Sequence, residues 1–200
     1  MRHAQHEHSV MCSERKEKEM DIPIEEEKKI RKGIDNLQAM KDLGNEMILD
    51  ACCGGKMFWY NKNHPKVLYV DNRYCEEGHN HYRPRHTVKP DKIMDFRNLD
   101  LPNNKFKMVV FDPPHFKSNT DTLNMAKLYG ILSPKTWKED LQKGFSECMR
   151  VLEPNGFLIF KWNETSIKIK EIIELFPTEP LFGNKQGTKL NTHWIVFIKD

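Results

Sequence analysis

The chain has 200 residues, 38% of them hydrophobic, with 32 Lys and Arg against 29 Asp and Glu for a net charge of +3. That length suits one domain with a full core plus an arm and excludes a second catalytic domain, while the mild charge excludes an overtly basic nucleic-acid coat. No apolar run approaches a membrane span, the polar start with His3, His6 and His8 lacks the apolar region of a secretion signal, and an odd count of five cysteines argues for reduced thiols in a cytoplasmic setting.

Residues 1–21 are charged and polar without a helix or strand period and read as a mobile arm. Over residues 22–45, Ile30, Ile34, Leu37, Met40 and Leu43 recur at helical spacing, Glu25, Glu26 and Glu27 favour the N-terminal end, and Gly44 stops the helix. Its apolar stripe has to be buried, so the helix is expected to pack on a main domain over 46–200.

From residue 46 short apolar strands alternate with helical or loop segments, the pattern of a mostly parallel sheet. The first four strands are expected at 47–53, 67–71, 92–95 and 106–111. Each carries or meets an acid at its end: Asp50, Asp71, Asp95 and Asp112. Trp137, Leu141, Phe145, Cys148, Met149 and Leu152 mark one face of a helix, with Ser133-Pro134 as cap and first-turn proline and Pro154-Asn155-Gly156 as its close. A fifth strand follows at 156–162, then a shorter helix at 167–176, and finally two strands at 180–182 and 193–198 whose connection is long enough for a hairpin.

The strand ends carry the chemistry. Asp112-Pro113-Pro114-His115 stands at the mouth of the fourth strand, where two prolines lock the turn and set the directions of its carbonyls. Such a rigid acceptor cluster suits a reaction at a weakly nucleophilic amine, because a carboxylate and a backbone carbonyl accepting its two N–H bonds aim the nitrogen lone pair at an electrophile. The alternative is a strand end turned by prolines, with Asp112 bonding its own turn. Asp50-Ala-Cys52-Cys-Gly54-Gly55 is a loop whose glycines let a ligand approach the backbone. Asp71 lies at about the spacing from Gly54 at which an acid meets a ribose hydroxyl in nucleotide-binding sheets. Asp95 could accept from an adenine amino group, with Phe96 donating a backbone N–H. Taken singly each acid could equally be an ordinary turn or cap; together with Asp112 they describe one adenosine-shaped groove.

On these residues the chain resembles the class I S-adenosylmethionine-dependent methyltransferases bearing an Asn/Asp-Pro-Pro-aromatic motif, over about residues 47–198. The residues that carry the resemblance are Asp50 and Gly54, Asp71, Asp95-Phe96, Asp112-Pro-Pro-His115, and Arg150-Val-Leu-Glu-Pro-Asn-Gly156 as the lead-in to strand five. It implies a Rossmann-like α/β fold: a mostly parallel seven-stranded sheet with a C-terminal antiparallel hairpin strand and helices on both faces. It further implies that S-adenosyl-L-methionine lies over the loop of Cys52, Gly54 and Gly55, with its ribose on Asp71 and its adenine near Asp95 and Phe96. The target amine would meet Asp112 and the Pro113 carbonyl, and no metal is required. Two positions depart from the family pattern: the first loop lacks the fuller set of spaced glycines, with the following helix cut short by Asn63-His-Pro65, and position 115 is His where a larger aromatic commonly stacks on the base. Phe116 could supply that stacking face.

Nucleic acid, DNA or RNA, is the partner the resemblance implies. The basic, aromatic-containing loop of His79, His81, Tyr82, Arg83, Arg85, His86, Lys89 and Lys92 could track phosphates or be a solvated surface loop. Residues 116–132 would hang over the reaction centre as a lid holding Lys117, Asn119, Lys127 and Tyr129, and Asn163 at the end of strand five is the strongest substrate contact there. Cys52, Cys53, Trp162 and Trp194 read as packing residues, and the His and Cys groups near residues 3–12 and 75–81 match no standard zinc spacing. The rivals to base-amine methylation are ring-atom methylation of ribosomal RNA, methylation of a protein or small molecule, and donor binding without catalysis.

Overall fold

Residues 23–26, 28, 29, 31–33, 44–186 and 191–200 are described by a computed structural model of the protein. The chain divides into two units, Met1–Ile34 and Asp35–Asp200, and the sheet, core and cavity belong to the second. In the first, the described residues from Ile24 onward are helical. The arm at 1–21 and the stripe positions Ile30, Ile34, Leu37, Met40 and Leu43 lie outside the described residues.

Seven strands form one sheet: β1 (Ile48–Asp50), β2 (Val67–Asp71), β3 (Lys92–Ile93), β4 (Phe106–Phe111), β5 (Leu152–Asn163), β6 (Phe182–Gln186) and β7 (Thr192–Ile198), in the order β3-β2-β1-β4-β5-β7-β6. Strands β1 to β5 pair in parallel, and β7 runs antiparallel to both β5 and β6. Runs such as Val-Leu-Tyr-Val in β2, buried throughout, are what a parallel strand covered on both faces requires. The chain leaves β1 for β2 on one side and returns to β4 on the other. Strand order therefore reverses at β1/β4, and a crevice opens above that point.

One sheet face packs on α2 (Trp137–Val151) and α3 (Ile169–Ile173); a shorter helix, α1 (Asn124–Tyr129), belongs to the segment after β4. Leu49, Val109, Phe111, Leu158 and Phe160 point into this core and meet Leu141, Phe145 and Cys148 of α2. Gly144 lets α2 sit this close: a β-carbon there would meet the Phe96 ring and lie 2.7 Å from Phe111 Cζ. Arg150, in the last turn, ties the approach to β4 onto the helix by donating to the Leu99 and Leu101 carbonyls (both 2.8 Å) while paired with Glu147.

The strand expected at 180–182 runs over Phe182–Gln186 instead, and three further expectations change. Residues 54–66 form successive turns instead of a shortened helix, with Trp59 edge-on to Tyr69 of β2 at 5.4 Å. Strand β5 starts at Leu152, so Pro154-Asn155-Gly156 forms a bulge inside it: register moves from Phe106↔Leu152 to Met108↔Phe157, and Asn155 takes the left-handed φ of 64°. Helix α2 begins at Trp137 behind a turn closed by the Trp137 N–H on the Ser133 carbonyl (3.0 Å), and Ser133 Oγ accepts the Lys135 N–H (3.3 Å), so Ser133-Pro134 caps this leading turn instead of the helix proper.

Candidate active site

Above the β1/β4 crevice lies a cavity of about 1230 Å³, lined by the Gly54 loop, the ends of β2 and β4, residues 125–133 and the end of β5. Pockets for drug-sized ligands run to roughly 300–1,000 Å³, so this one exceeds what a single small molecule needs. Its floor is the loop after β1, pinned when Ala51 N–H bonds the Val110 carbonyl (3.0 Å) and Cys53 N–H the Val70 carbonyl (2.8 Å). Gly54 adopts φ +48° with no atom within 4 Å of where a β-carbon would stand, so a ligand can lie directly on this backbone. The Gly54 N–H donates to Asp71 Oδ2 at 2.9 Å, which ties the loop to the end of β2.

Asp71 is buried yet lines the cavity. Its Oδ1 also accepts from Arg73 N and Nε (both 3.0 Å), and its Oδ2 from Arg73 Nη2 (3.3 Å). Two bonds on each oxygen fill the carboxylate's lone pairs. A ribose diol can be accepted only when the Arg73 side chain gives up at least one of them. Arg73 Nη1 donates at the same time to the Leu128 carbonyl (3.3 Å), so this arginine spans from the end of β2 to helix α1.

Asp50 lies beneath the floor and does not line the cavity. It is fully buried, accepting from Trp59 Nε1 at 2.7 Å and from Cys52 N–H at 3.4 Å. Burial pushes its carboxyl up to about 7, with the Trp59 bond only partly opposing the shift. Between the ordinary value of 3.8 and about 7 the folded protein holds a proton that the unfolded chain releases, so stability falls as pH rises across that window and levels off above it. Asp50→Asn, which keeps an acceptor for Trp59, is expected to match the parent near pH 4 and exceed it at pH 8 by on the order of a few kcal/mol in urea unfolding. A variant less stable than the parent at pH 8 would contradict this account.

At the end of β4, Asp112 meets a partner that the motif does not contain. Lys161 Nζ lies 2.6 Å from Asp112 Oδ2, because the parallel register that sets Phe111 beside Phe160 sets the next residues side by side as well. The ammonium also faces the rings of Phe58 and Trp194, 5.7 and 5.9 Å from their centroids, and those rings meet edge to face at 5.8 Å. Asp112 Oδ1 and His115 Nδ1 stand 3.8 Å apart, both buried and without a hydrogen-bond partner among the described residues. His115 packs edge-on against Trp162, whose indole N–H is fixed on the Ile167 carbonyl. Burial lowers the His115 pKa and outweighs the pull of Asp112, so the imidazole is neutral at pH 7.

Of the residues singled out in the sequence, Cys52, Gly54, Gly55, Asp71, Phe96, Asp112, Pro113, Pro114, His115, Phe116 and Asn163 line one cavity. Asp50, Asp95 and Lys117 do not. The Asp95 carboxylate is engaged by Arg97 (Nε to Oδ1 at 2.8 Å, Nη2 to Oδ2 at 2.5 Å), and Arg97 continues to Asp140 of α2. Arg97 also holds the Asp95 carboxyl below its ordinary range. The group that reaches the cavity from this turn beside Phe96 is therefore Arg97. Lys117 turns to the face of Trp137, 5.2 Å from its centroid. The Asn163 amide is held by Thr192 Oγ1 (3.0 Å). Burial raises the thiol pKa of Cys52, Cys53 and Cys148, so none of them is a ready nucleophile.

The segment after β4 lines the cavity and is tied down at several points. Leu132 N–H bonds the Phe116 carbonyl (2.9 Å), Asn80 Nδ2 bonds the Asn124 carbonyl (3.0 Å), and Gly130, at φ +76°, lies against Pro114. Sequence reasoning placed Lys161 with Asn163 and Glu164 at the end of strand five but ranked it below Asn163, missed Phe58 and Arg73 as parts of the site, and took Trp194 for a packing residue although it also flanks Lys161. A single lysine inside the apolar run Gly156-Phe-Leu-Ile-Phe-Lys-Trp162 was the available signal for Lys161.

No protein-family model and no curated protein matches the chain. Among solved structures it is similar to a SAM-dependent methyltransferase from Methanosarcina mazei, at 14% identity over 78% of this chain and 94% of that one, with a TM-score of 0.48. It is similar also to the PH0226 protein from Pyrococcus horikoshii, at 15% identity over 86% and 91% and a TM-score of 0.47. A third is the 16S rRNA (adenine(1408)-N(1))-methyltransferase W203A mutant from Catenulisporales acidiphilia, at 11% identity over 83% and 90% and a TM-score of 0.45. By its strand order and its reversed β7, the chain has the Rossmann-like fold of class I methyltransferases.

Proposed function

We propose that this protein is an S-adenosyl-L-methionine-dependent methyltransferase acting on an exocyclic amino group of a DNA or RNA base. The observation that carries the reading is Asp112 Oδ1, a buried carboxylate oxygen without a hydrogen-bond partner among the described residues, beside two prolines and across the cavity from the open backbone of Gly54. A buried acceptor left unpaired costs about 1–3 kcal/mol; Oδ1 is closed to water beside His115 Nδ1 (3.8 Å), so a ligand N–H satisfies it as the turn at His115 opens.

The cavity residues suit the donor. Gly54 leaves its backbone uncovered, Asp71 offers a carboxylate to a ribose diol once Arg73 yields, and Phe96 offers an aromatic side wall. When bound, the donor supplies an activated methyl group: the amine lone pair forms the new C–N bond as the C–S bond breaks, its electron pair returning to sulfur, and the nitrogen then loses a proton. Asp112 orients the amine by accepting one N–H, the Pro113 carbonyl accepts the other, and the carboxylate takes the released proton or passes it to water. Pro114 under Gly130, and His115 against Trp162, keep this turn stiff.

Nucleic acid as acceptor is supported by the rim. Tyr82, Arg83 and Arg85 are exposed on the loop before β3, and Arg83 Nη1 reaches the Tyr129 hydroxyl of α1 at 3.3 Å, so this loop borders the lid. The test is transfer from methyl-labelled donor into separate pools of DNA, RNA and protein. Label in nucleic acid is the expected result. Label confined to protein, or entering no pool despite measured donor binding, would overturn the reading.

A further inference from the structure

We propose that Lys161 and Asp112 act together as a reader of the target base, Asp112 Oδ1 accepting from the exocyclic amine while Lys161 Nζ donates to the ring nitrogen beside it. This rests on the reading of the site as a base-amine methyltransferase and adds a specificity-determining residue to it.

An ammonium carries three donors and has no acceptor role. Among the described residues Lys161 hydrogen-bonds only to Asp112 Oδ2, so two N–H groups remain, and the side chain lines the cavity. It does not hang loose: the carboxylate holds it on one side and the rings of Phe58 and Trp194 on the others. Asp112 Oδ1 has no hydrogen-bond partner among the described residues and is closed to water beside His115 Nδ1 (3.8 Å), so the base amine reaches it as that turn opens; the oxygen and the Lys161 ammonium then form an acceptor next to a donor. An amidine edge has the complementary order, an amino donor and a ring-nitrogen acceptor on one carbon. Adenine presents that edge at N6 and N1 and repeats the donor–acceptor order across C5 at N7, and cytosine presents it at N4 and N3. Guanine presents it only at N2 and N3, since its Watson–Crick side turns N1–H against the ammonium, and thymine and uracil have no amino group. The carboxylate and ammonium also neutralise each other, so a neutral base edge enters without facing an uncompensated charge.

Random-sequence oligonucleotides in deoxy and ribo forms, with adenine replaced by 1-deazaadenine or 7-deazaadenine, cytosine by 3-deazacytosine, or guanine by 3-deazaguanine, keep the amine and delete one ring nitrogen. The wild-type protein is expected to label one of these pools about tenfold or more below the unmodified pool, the size of a lost hydrogen bond to a charged group. In Lys161→Met the unmodified pool is expected to fall to the same rate, so that the ratio collapses towards one while donor affinity persists; Lys161→Arg, which keeps donors in place, should retain the ratio. Equal labelling of every deaza pool by the wild-type protein, or an undiminished ratio in Lys161→Met, would overturn the role of Lys161 and leave amine methylation standing. No label in any unmodified pool would remove both.

Discussion

Asp112→Ala is expected to reduce methyl transfer by about 10³-fold or more while changing donor affinity less than threefold, the scale on which a lost oriented acceptor acts at a reaction centre. The separation follows from position. Asp112 stands at the end of β4, and the donor's proposed contacts come from the Gly54 loop and the end of β2. Losing the carboxylate leaves Lys161 between Phe58 and Trp194 with its head partly exposed, so the ammonium turns to water and the fold persists. Asp112→Asn isolates the charge, since it keeps the shape and one acceptor oxygen. Single-turnover transfer beside calorimetric titration of the donor measures both quantities. A parallel collapse of donor affinity would assign Asp112 to donor binding.

Asp71→Ala is expected to do the reverse. It removes the carboxylate that would take the ribose diol and leaves the Gly54 N–H without its acceptor, so the floor of the cavity loosens as well. Two lost hydrogen bonds to a charged group correspond to a donor affinity lower by about 10². At saturating donor most of the transfer rate should return, which is the mark of a binding role. Asp71→Asn retains an acceptor for Gly54 and should lose less. If Asp71→Ala and Asp112→Ala weaken donor binding equally, the division of the cavity into a donor half and an acceptor half is wrong.

The sheet was legible because its signals are local. Val67-Leu-Tyr-Val and Met108-Val-Val-Phe are apolar runs that only a strand buried on both faces tolerates, and each ends at an acid whose polarity stops it. Positions set by pairing partners were less legible. Pro154-Asn155-Gly156 has the composition of a turn, yet Leu152 already pairs with Phe106, and β5 absorbs the three residues as a bulge. Likewise 54–66 lacks the apolar period of a helix, and Trp59 covers Tyr69 without one.

For the site, the acids were visible and their partners were not. Asp50, Asp71, Asp95 and Asp112 all lie at strand ends, as their spacing implies, but which of them faces the cavity depends on arginines and lysines far off or on the neighbouring turn. Arg97, two residues on, turns Asp95 towards α2; Arg73, two residues after Asp71, folds back on it; Lys161, 49 positions from Asp112, meets it through the register of two strands. Hydrophobic periodicity carries no information about such pairs, because it reports which face a residue occupies and not what stands opposite.

The central claim, transfer to an exocyclic base amine held by Asp112, is tested most directly by hydrolysing the labelled nucleic acid to nucleosides and identifying the one that carries the methyl group. Label in an N6-methyladenine or N4-methylcytosine nucleoside, absent when Asp112→Ala replaces the wild-type protein, is the result this account predicts. Label on a ring carbon or ring nitrogen, or a base amine methylated equally well by Asp112→Ala, would contradict it.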